Sequence, residues 1–100
     1  MNVGIPFNRW SRERIRTGRK RATSRYKKLA KAGDMFVVDG VEYEIDLVVK
    51  LPLWFITKEL YVSEGAESEE ELVKVWLEIH PRRGFRAYDE VWYHHFKIKK

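Results

Sequence analysis

From residue 41 to residue 49 the chain alternates in character. Val41, Tyr43, Ile45, Leu47 and Val49 are apolar, and Glu42, Glu44 and Asp46 stand between them. A period of two puts the apolar set on one face of an extended chain, so "VEYEIDLVVK" predicts a half-buried β-strand. Just before it, "MFVV" is a second short apolar run, joined to the first by Asp39-Gly40. Asp-Gly accepts the positive φ angles of a type I′ turn, so the two runs read as a β-hairpin. Pro52 lacks the N–H a ladder needs and ends or bends the strand.

Further along the period lengthens. Leu72, Val75, Trp76 and Ile79 are spaced i, i+3, i+4, i+7, one stripe of a helix. Ser68 and Glu71 have the spacing of a capping box, Glu69 and Glu70 sit where the helix dipole favours negative charge, and Pro81 closes the segment. "LWFITKELYVSEG" is expected to be helical in part and to stop near Gly65. A short helix is predicted over residues 12–17, with Ser11 as its cap, Glu13 in its first turn and Gly18 as its stop. Trp10, just before that cap, is expected to pack on Ile15 as a hydrophobic staple. "VGIPF" reads as a first strand and "EVWYHHFKIK" as a last one, with "KKLAKAGD" and "PRRGFRAYDE" as turns and loops. Strand, helix, strands, two helices, strand predicts an α+β fold. Its mostly antiparallel sheet curls into a small β-barrel with flanking helices. The pattern does not choose between a closed barrel and an open sheet.

Composition adds bounds. One hundred residues predict one domain, 1–100, with a thin core supplied by four Trp, five Tyr and five Phe. Trp54, Phe55, Trp76 and Trp92 are assigned to that core by default. There is no cysteine, hence no disulfide and no thiolate metal site. The start "MNVGIPFNRW" lacks the apolar core of a signal peptide, and no apolar run approaches the roughly 18 residues of a membrane span. A cytoplasmic protein without a membrane partner is expected.

Charge changes the picture more. Residues 1–31 hold eleven Lys/Arg and one acid, Glu13, whereas residues 32–100 hold nine Lys/Arg and fourteen Asp/Glu. A basic face on an acidic body is the usual footprint of a nucleic-acid partner, the alternative being a solvated basic arm. The three histidines do not suggest a metal site. His94 and His95 are neighbours on a strand and point to opposite faces, and His80 is distant in sequence. No cofactor is expected. The run "EGAESEEE" is a solvated helix start, with Glu64 set apart because it lies in the loop before the cap.

The densest cluster is "TGRKRATSRY", residues 17–26. Arg19, Lys20, Arg21 and Arg25 follow one glycine within eight positions. Like charges this close disfavour one another, and an anion would relieve them. Neither Gly-x-x-x-x-Gly-Lys nor Gly-x-Gly-x-x-Gly is present, so nucleotide hydrolysis and dinucleotide binding gain no support.

Gly18, Lys20 and Arg25 resemble the Gly-x-Lys-x-x-x-x-Arg signature of ASCH domains, which are PUA-like small barrels. The short helix before Gly18, the "AKAGD" turn, "SEGAESEEEL", the "IHP" ending and the aromatic strand "VWYHHFKI" extend the likeness over nearly the whole chain. The resemblance implies RNA or a modified nucleoside or nucleotide as ligand, and a binding module or an enzyme. One subgroup hydrolyses the amide of N4-acylated cytidine with a Lys, a Thr three residues on and a Glu in the later loop. Lys20 and Thr23 match that spacing. The Glu falls on Glu64 with one residue gapped, and Glu67 competes for the place. Thr23 is then the implied nucleophile, Lys20 its base and Glu64 the acid or orienter.

Two readings follow, the first from the basic residues and the second from the resemblance. In the first, RNA is bound through Gly18, Arg19, Lys20, Arg21 and Arg25 with Arg12, Arg16 and Lys27 nearby. In the second, the cleft is an amidohydrolase site in which Arg19, Arg21, Arg25 and partial burial lower the pKa of Lys20. An RNA-cleaving enzyme and a protein-interaction module built on the acidic helix complete the alternatives. The sequence leaves the oligomeric state open.

Overall fold

A computed structural model of the protein describes residues 1–99. Over these residues the element order is α1 (Arg9–Arg16), β1 (Ala22–Arg25), β2 (Met35–Val38), β3 (Val41–Pro52), α2 (Leu53–Glu59), α3 (Glu69–Ile79) and β4 (Glu90–Ile98). The strands form one antiparallel sheet in the order β1-β4-β3-β2. It curls into a half-barrel flanked by the helices, as the α+β reading anticipates. The β2–β3 hairpin turns at Asp39 and Gly40, whose φ angles of 50° and 80° are the pair a type I′ turn requires. No helix among the described residues is long and apolar enough to cross a membrane.

The alternation along β3 does not run unbroken. Ile45 pairs with Phe96 and Leu47 pairs with His95, so Asp46 is an extra residue in the ladder. Such a bulge moves every later side chain to the other face. Tyr43 and Ile45 accordingly enter one core cluster, with Phe36, Val38, Phe96 and Ile15. Val49 and Leu51 instead pack on the second, with Leu53, Ile56, Leu72, Trp76, Val91 and Tyr93. Leu47 is left half exposed. The bulged Asp46 is held by His95, whose Nδ1 lies 2.8 Å from its carboxylate.

Four other expectations are corrected. "VGIPF" is not a strand of the sheet. The only ladder pairing nearby is a single parallel bridge just before it, Asn2 to Met35, and Pro6 has no N–H to extend it, while Val3, Ile5 and Phe7 pack on the core. Helix α1 begins at Arg9 rather than residue 12, because Asn8 Oδ1 caps it by accepting from the Ser11 N–H at 2.8 Å. Trp10 is therefore inside the helix. Five positions at about 100° each put it on the far side from Ile15, so the staple does not form. Trp54 and Ile79 are 40% and 50% exposed, Phe55 and Trp92 are only half-buried, and none of the four belongs to either core cluster.

In β4, His94 is fully buried while His95 is partly exposed, the opposite faces a strand imposes. The N–H of Leu29 donates to His94 Nε2 at 3.1 Å, so the ring proton lies on Nδ1, which donates to the Thr23 carbonyl at 3.2 Å. A protonated ring could not accept from Leu29. Burial lowers the His94 pKa below the ordinary 6.5 and nearby Arg25 acts the same way, while the bonds to the backbone at Thr23 and Trp92 and the charge of Glu64 oppose it.

The unfolded chain thus takes up this proton before the folded one as pH falls, and stability declines from about pH 6.5 downward until His94 itself protonates. Urea denaturation should show this loss, and NMR should find the His94 ring still in its Nδ1–H form where a free imidazole is charged. A His94 ring that titrates like a free imidazole would contradict the assignment.

Candidate active site

Helix α1 ends in a Schellman motif. Gly18, at φ 80°, donates its N–H to the Ile15 carbonyl at 3.1 Å, and Arg19 donates to the Arg14 carbonyl at 2.9 Å. The Lys20 N–H shares that same Arg14 carbonyl at 3.0 Å. The chain is thereby folded over the helix end, with Lys20 inward and Arg19 and Arg21 outward. The Arg21 N–H then bonds the Ser63 carbonyl at 2.7 Å, tying this segment to the loop that follows α2.

That loop carries Glu64. Lys20 Nζ donates to the Glu64 carbonyl at 3.0 Å and lies 3.2 Å from its Oε1. Both residues are only 4% exposed. Ser24 Oγ is 2.6 Å from Glu64 Oε2, so both carboxylate oxygens have a partner. On the same strand Thr23 Oγ1 accepts from Arg25 Nε at 3.1 Å, and the Arg25 guanidinium also donates to the Pro6 carbonyl at 2.6 Å and lies over the Phe7 ring. Lys20, Thr23, Ser24, Arg25 and Glu64 all line one cleft of about 420 Å³, a volume in the range of small-molecule sites.

The opposite wall is apolar and aromatic, from Trp10, Leu72, Val75, Trp76 and Ile79. The Trp76 and His80 rings lie 4.5 Å apart between centroids, tilted by 41°, with Tyr26 at the edge of both. The Trp76 indole N–H has no protein partner, alone among buried side-chain polar atoms of the described residues. Burial lowers the His80 pKa below 6.5, and Arg83 and Arg25 add to it, so at neutral pH this wall is uncharged.

Burial also lowers the Lys20 pKa from 10.5; Glu64 opposes the shift through charge and hydrogen bond, and Arg25 and Arg14 reinforce it. Burial and Arg25 act as anticipated, but Arg14 takes the part expected of Arg19 and Arg21. Arg19 and Arg21 are exposed and border a separate depression with Tyr61, Gly65 and Glu67 on the other side of the segment. Gly18 lies there too, and Glu67 is exposed, its N–H bound to Glu71. Of the remaining basic candidates, Arg12 reaches the Phe7 carbonyl, Arg16 approaches Asp39 at 3.6 Å, and Lys27 is exposed. Lys20 and Arg25 are the cations that line the cleft.

Three contributors escaped the sequence reading. Ser24 was one hydroxyl among several. Arg14 donates to the Gly65 carbonyl at 3.1 Å, stacks over Trp10 at 4.2 Å and approaches Glu71 at 3.5 Å, clamping the Glu64 loop onto α1. Gly65 lets that loop come close. A Cβ there would sit 2.9 Å from Lys20 Cβ and 3.3 Å from two Arg14 carbons, at φ 98°.

Solved structures share this arrangement of elements. An ASCH domain from Lactobacillus crispatus superposes with a TM-score of 0.68 at 20% identity, covering 97% of this chain and 77% of that one. The fold is that of an ASCH domain. The hypothetical protein PH0355 aligns over 99% of this chain and 100% of its own, with a TM-score of 0.73 and 20% identity. Protein PF0455 from Pyrococcus furiosus covers 100% and 99%, with a TM-score of 0.65 and 17% identity. No family model matches the chain, and no curated protein matches it. Within the ASCH fold of this chain, the cleft opens along the edge strand β1, between α1 and α3.

Gly65→Ala combines a disfavoured backbone with a clash, and should cost about 2–4 kcal/mol in urea denaturation. Gly84→Ala, at φ 72° in open space, should cost about 1 kcal/mol for the backbone alone. Equal losses would show that the approach of Lys20 to Gly65 is not tight. Removing one partner of the buried ion pair should cost about 3–5 kcal/mol, whereas replacing both, in Lys20→Met with Glu64→Leu, should recover most of it. Single variants as stable as the parent would mean that the pair is solvated.

Proposed function

We propose that the cleft binds an N-acylated nucleoside and hydrolyses its amide, N4-acylated cytidine being the substrate class. The observation that carries this reading is the burial of Lys20 and Glu64 as a contacting pair beside Thr23 in a cleft of nucleoside size. A buried ion pair is weak support for stability, so its presence in a concave site points to chemistry. The ASCH fold and the spacing of Lys20 and Thr23 agree with it.

In this mechanism Thr23 Oγ1 attacks the amide carbonyl. Its proton passes to neutral Lys20, which burial makes accessible below the usual lysine range. Arg25, already bonded to Thr23 Oγ1, faces the negative charge that develops on the carbonyl oxygen. The acyl group moves to Thr23, the cytosine amine leaves with a proton from the Glu64 side, and water then releases the carboxylate. The aromatic wall of Trp76 and His80 takes the base by stacking. A modified base on an RNA strand presents the same group, and the exposed Arg19, Arg21 and Lys27 lie outside the cleft, where phosphates would run. Such an enzyme would work in the cytoplasm.

The test is incubation with N4-acetylcytidine, free and within a short RNA, following loss of the acetyl group. Turnover should disappear in Lys20→Ala and Thr23→Ala. The rate should fall at high pH through an apparent pKa below 10.5, where the Lys20–Glu64 pair loses the one proton that lets Lys20 act as base while the Glu64 side still protonates the amine. Binding of both ligands without turnover leaves a binding module. Full activity in Thr23→Ala removes the nucleophile assignment.

A further inference from the structure

The 2.6 Å contact between Ser24 Oγ and Glu64 Oε2 is the shortest bond between two side chains in the cleft, and nothing in the mechanism above uses it. Ser24 is buried, borders the cleft and holds the carboxylate oxygen that Lys20 does not hold. Thr23 Oγ1 is engaged differently, as the acceptor of Arg25. Two adjacent hydroxyls thus face the same cleft with different partners: one beside a guanidinium, one on a carboxylate.

We propose that Ser24 is a catalytic proton relay, carrying the proton from Glu64 to the leaving nitrogen; this rests on the amidohydrolase reading. An amide nitrogen cannot leave as an anion near neutral pH, so it must be protonated as the C–N bond breaks. In this relay the Lys20–Glu64 pair holds one proton between its two members. With that proton on Glu64 Oε2, Lys20 is neutral and Glu64 donates to Ser24 Oγ, leaving the Ser24 hydroxyl proton free to point into the cleft.

Attack by Thr23 forms its bond to the carbonyl carbon and sends its proton to Lys20. As the C–N bond breaks, its electron pair takes the Ser24 proton, and Ser24 takes the Glu64 proton. The pair is now Lys20 ammonium and Glu64 carboxylate, and Ser24 donates to Glu64. In the second half a water oxygen bonds to the acyl carbon and its proton returns through Ser24 to Glu64. Lys20 returns its proton to the departing Thr23 oxygen. The pair is restored, the amine and the carboxylic acid are the products, and no co-reactant besides water is consumed.

A residue that only orients Glu64 would lose effect uniformly; a relay is selective for leaving groups that need a proton. The experiment compares the parent protein, Ser24→Ala and Ser24→Thr on N4-acetylcytidine and on 4-nitrophenyl acetate, whose phenolate leaves unprotonated. Thermal unfolding of each variant confirms that it folds. With the amide, Ser24→Ala should lower kcat by about 10²-fold or more with little change in KM, and Ser24→Thr, which keeps the hydroxyl, should restore most of it. With the ester, Ser24→Ala should lose far less. An unchanged amide rate in Ser24→Ala, a loss that Ser24→Thr does not restore, or equal losses on amide and ester would each overturn the relay while leaving the hydrolase intact. A parent protein inactive on the amide would instead overturn the hydrolase reading and the relay with it.

Discussion

The cleft depends on one contact, the buried meeting of Lys20 and Glu64. Each charge alone would carry a penalty of several kcal/mol in so dry a place, and their attraction repays it only when the remaining donors and acceptors are also met. The surroundings supply what is missing. The Glu64 carbonyl takes a second bond from Lys20, Ser24 takes the other carboxylate oxygen, and Arg14 and Arg21 fasten the loop from both sides. Because the two residues come from segments 44 positions apart, the contact also decides how the α2–α3 loop sits on the end of α1. The fold around the cleft and the state of the lysine are therefore set together.

Sheet geometry does the rest of the positioning. The bulge at Asp46 gives β3 one apolar face near its start and the other near its end, so a single four-stranded sheet serves two cores. Strand β1, only four residues long, lies at the edge of that sheet and has a functional neighbour on each side of the chain. Thr23 shares a side with Arg25, while Ser24 meets Glu64. His94 fixes the backbone between them by binding the Thr23 carbonyl with one ring nitrogen and the Leu29 N–H with the other. A central strand, paired on both sides, could not open to a ligand in this way.

Much of this was legible in the sequence where the cause is local. Asp39-Gly40 carries its turn in its own backbone preferences, Ser68 caps α3 through a bond to the Glu71 N–H at 3.1 Å, and Gly18 ends α1 because its neighbours demand a positive φ. The motif brought Lys20, Thr23 and Arg25 to notice together, and their common cleft follows from the turn at Gly18. What was not legible is set at long range. No local signal separates Asn8 from Ser11 as a cap, since both residue types serve. The extra residue at Asp46 shows only once β4 is laid beside β3. Glu64 is favoured over Glu67 in the sequence only by a one-residue gap, and the turn after α2 decides between them. Arg14 and Gly65 matter through what they touch, and sequence spacing does not reveal that. The charge count misled in one respect: it treated four neighbouring cations as a single cluster, though the backbone sends them in two directions.

That division of directions has a further consequence. Arg19 and Arg21 belong to the outer field of the protein, whereas Lys20 between them is shut away from solvent and answers to burial, Glu64, Arg25 and Arg14. The outer charges act at a distance and are weakened by salt, while the inner pair is screened little. In the proposed function, how fast an anionic ligand is drawn toward the cleft and how the cleft treats it after arrival would be governed by alternate residues of one short segment. Either property can drift in evolution, or be altered by design, while the other stays fixed.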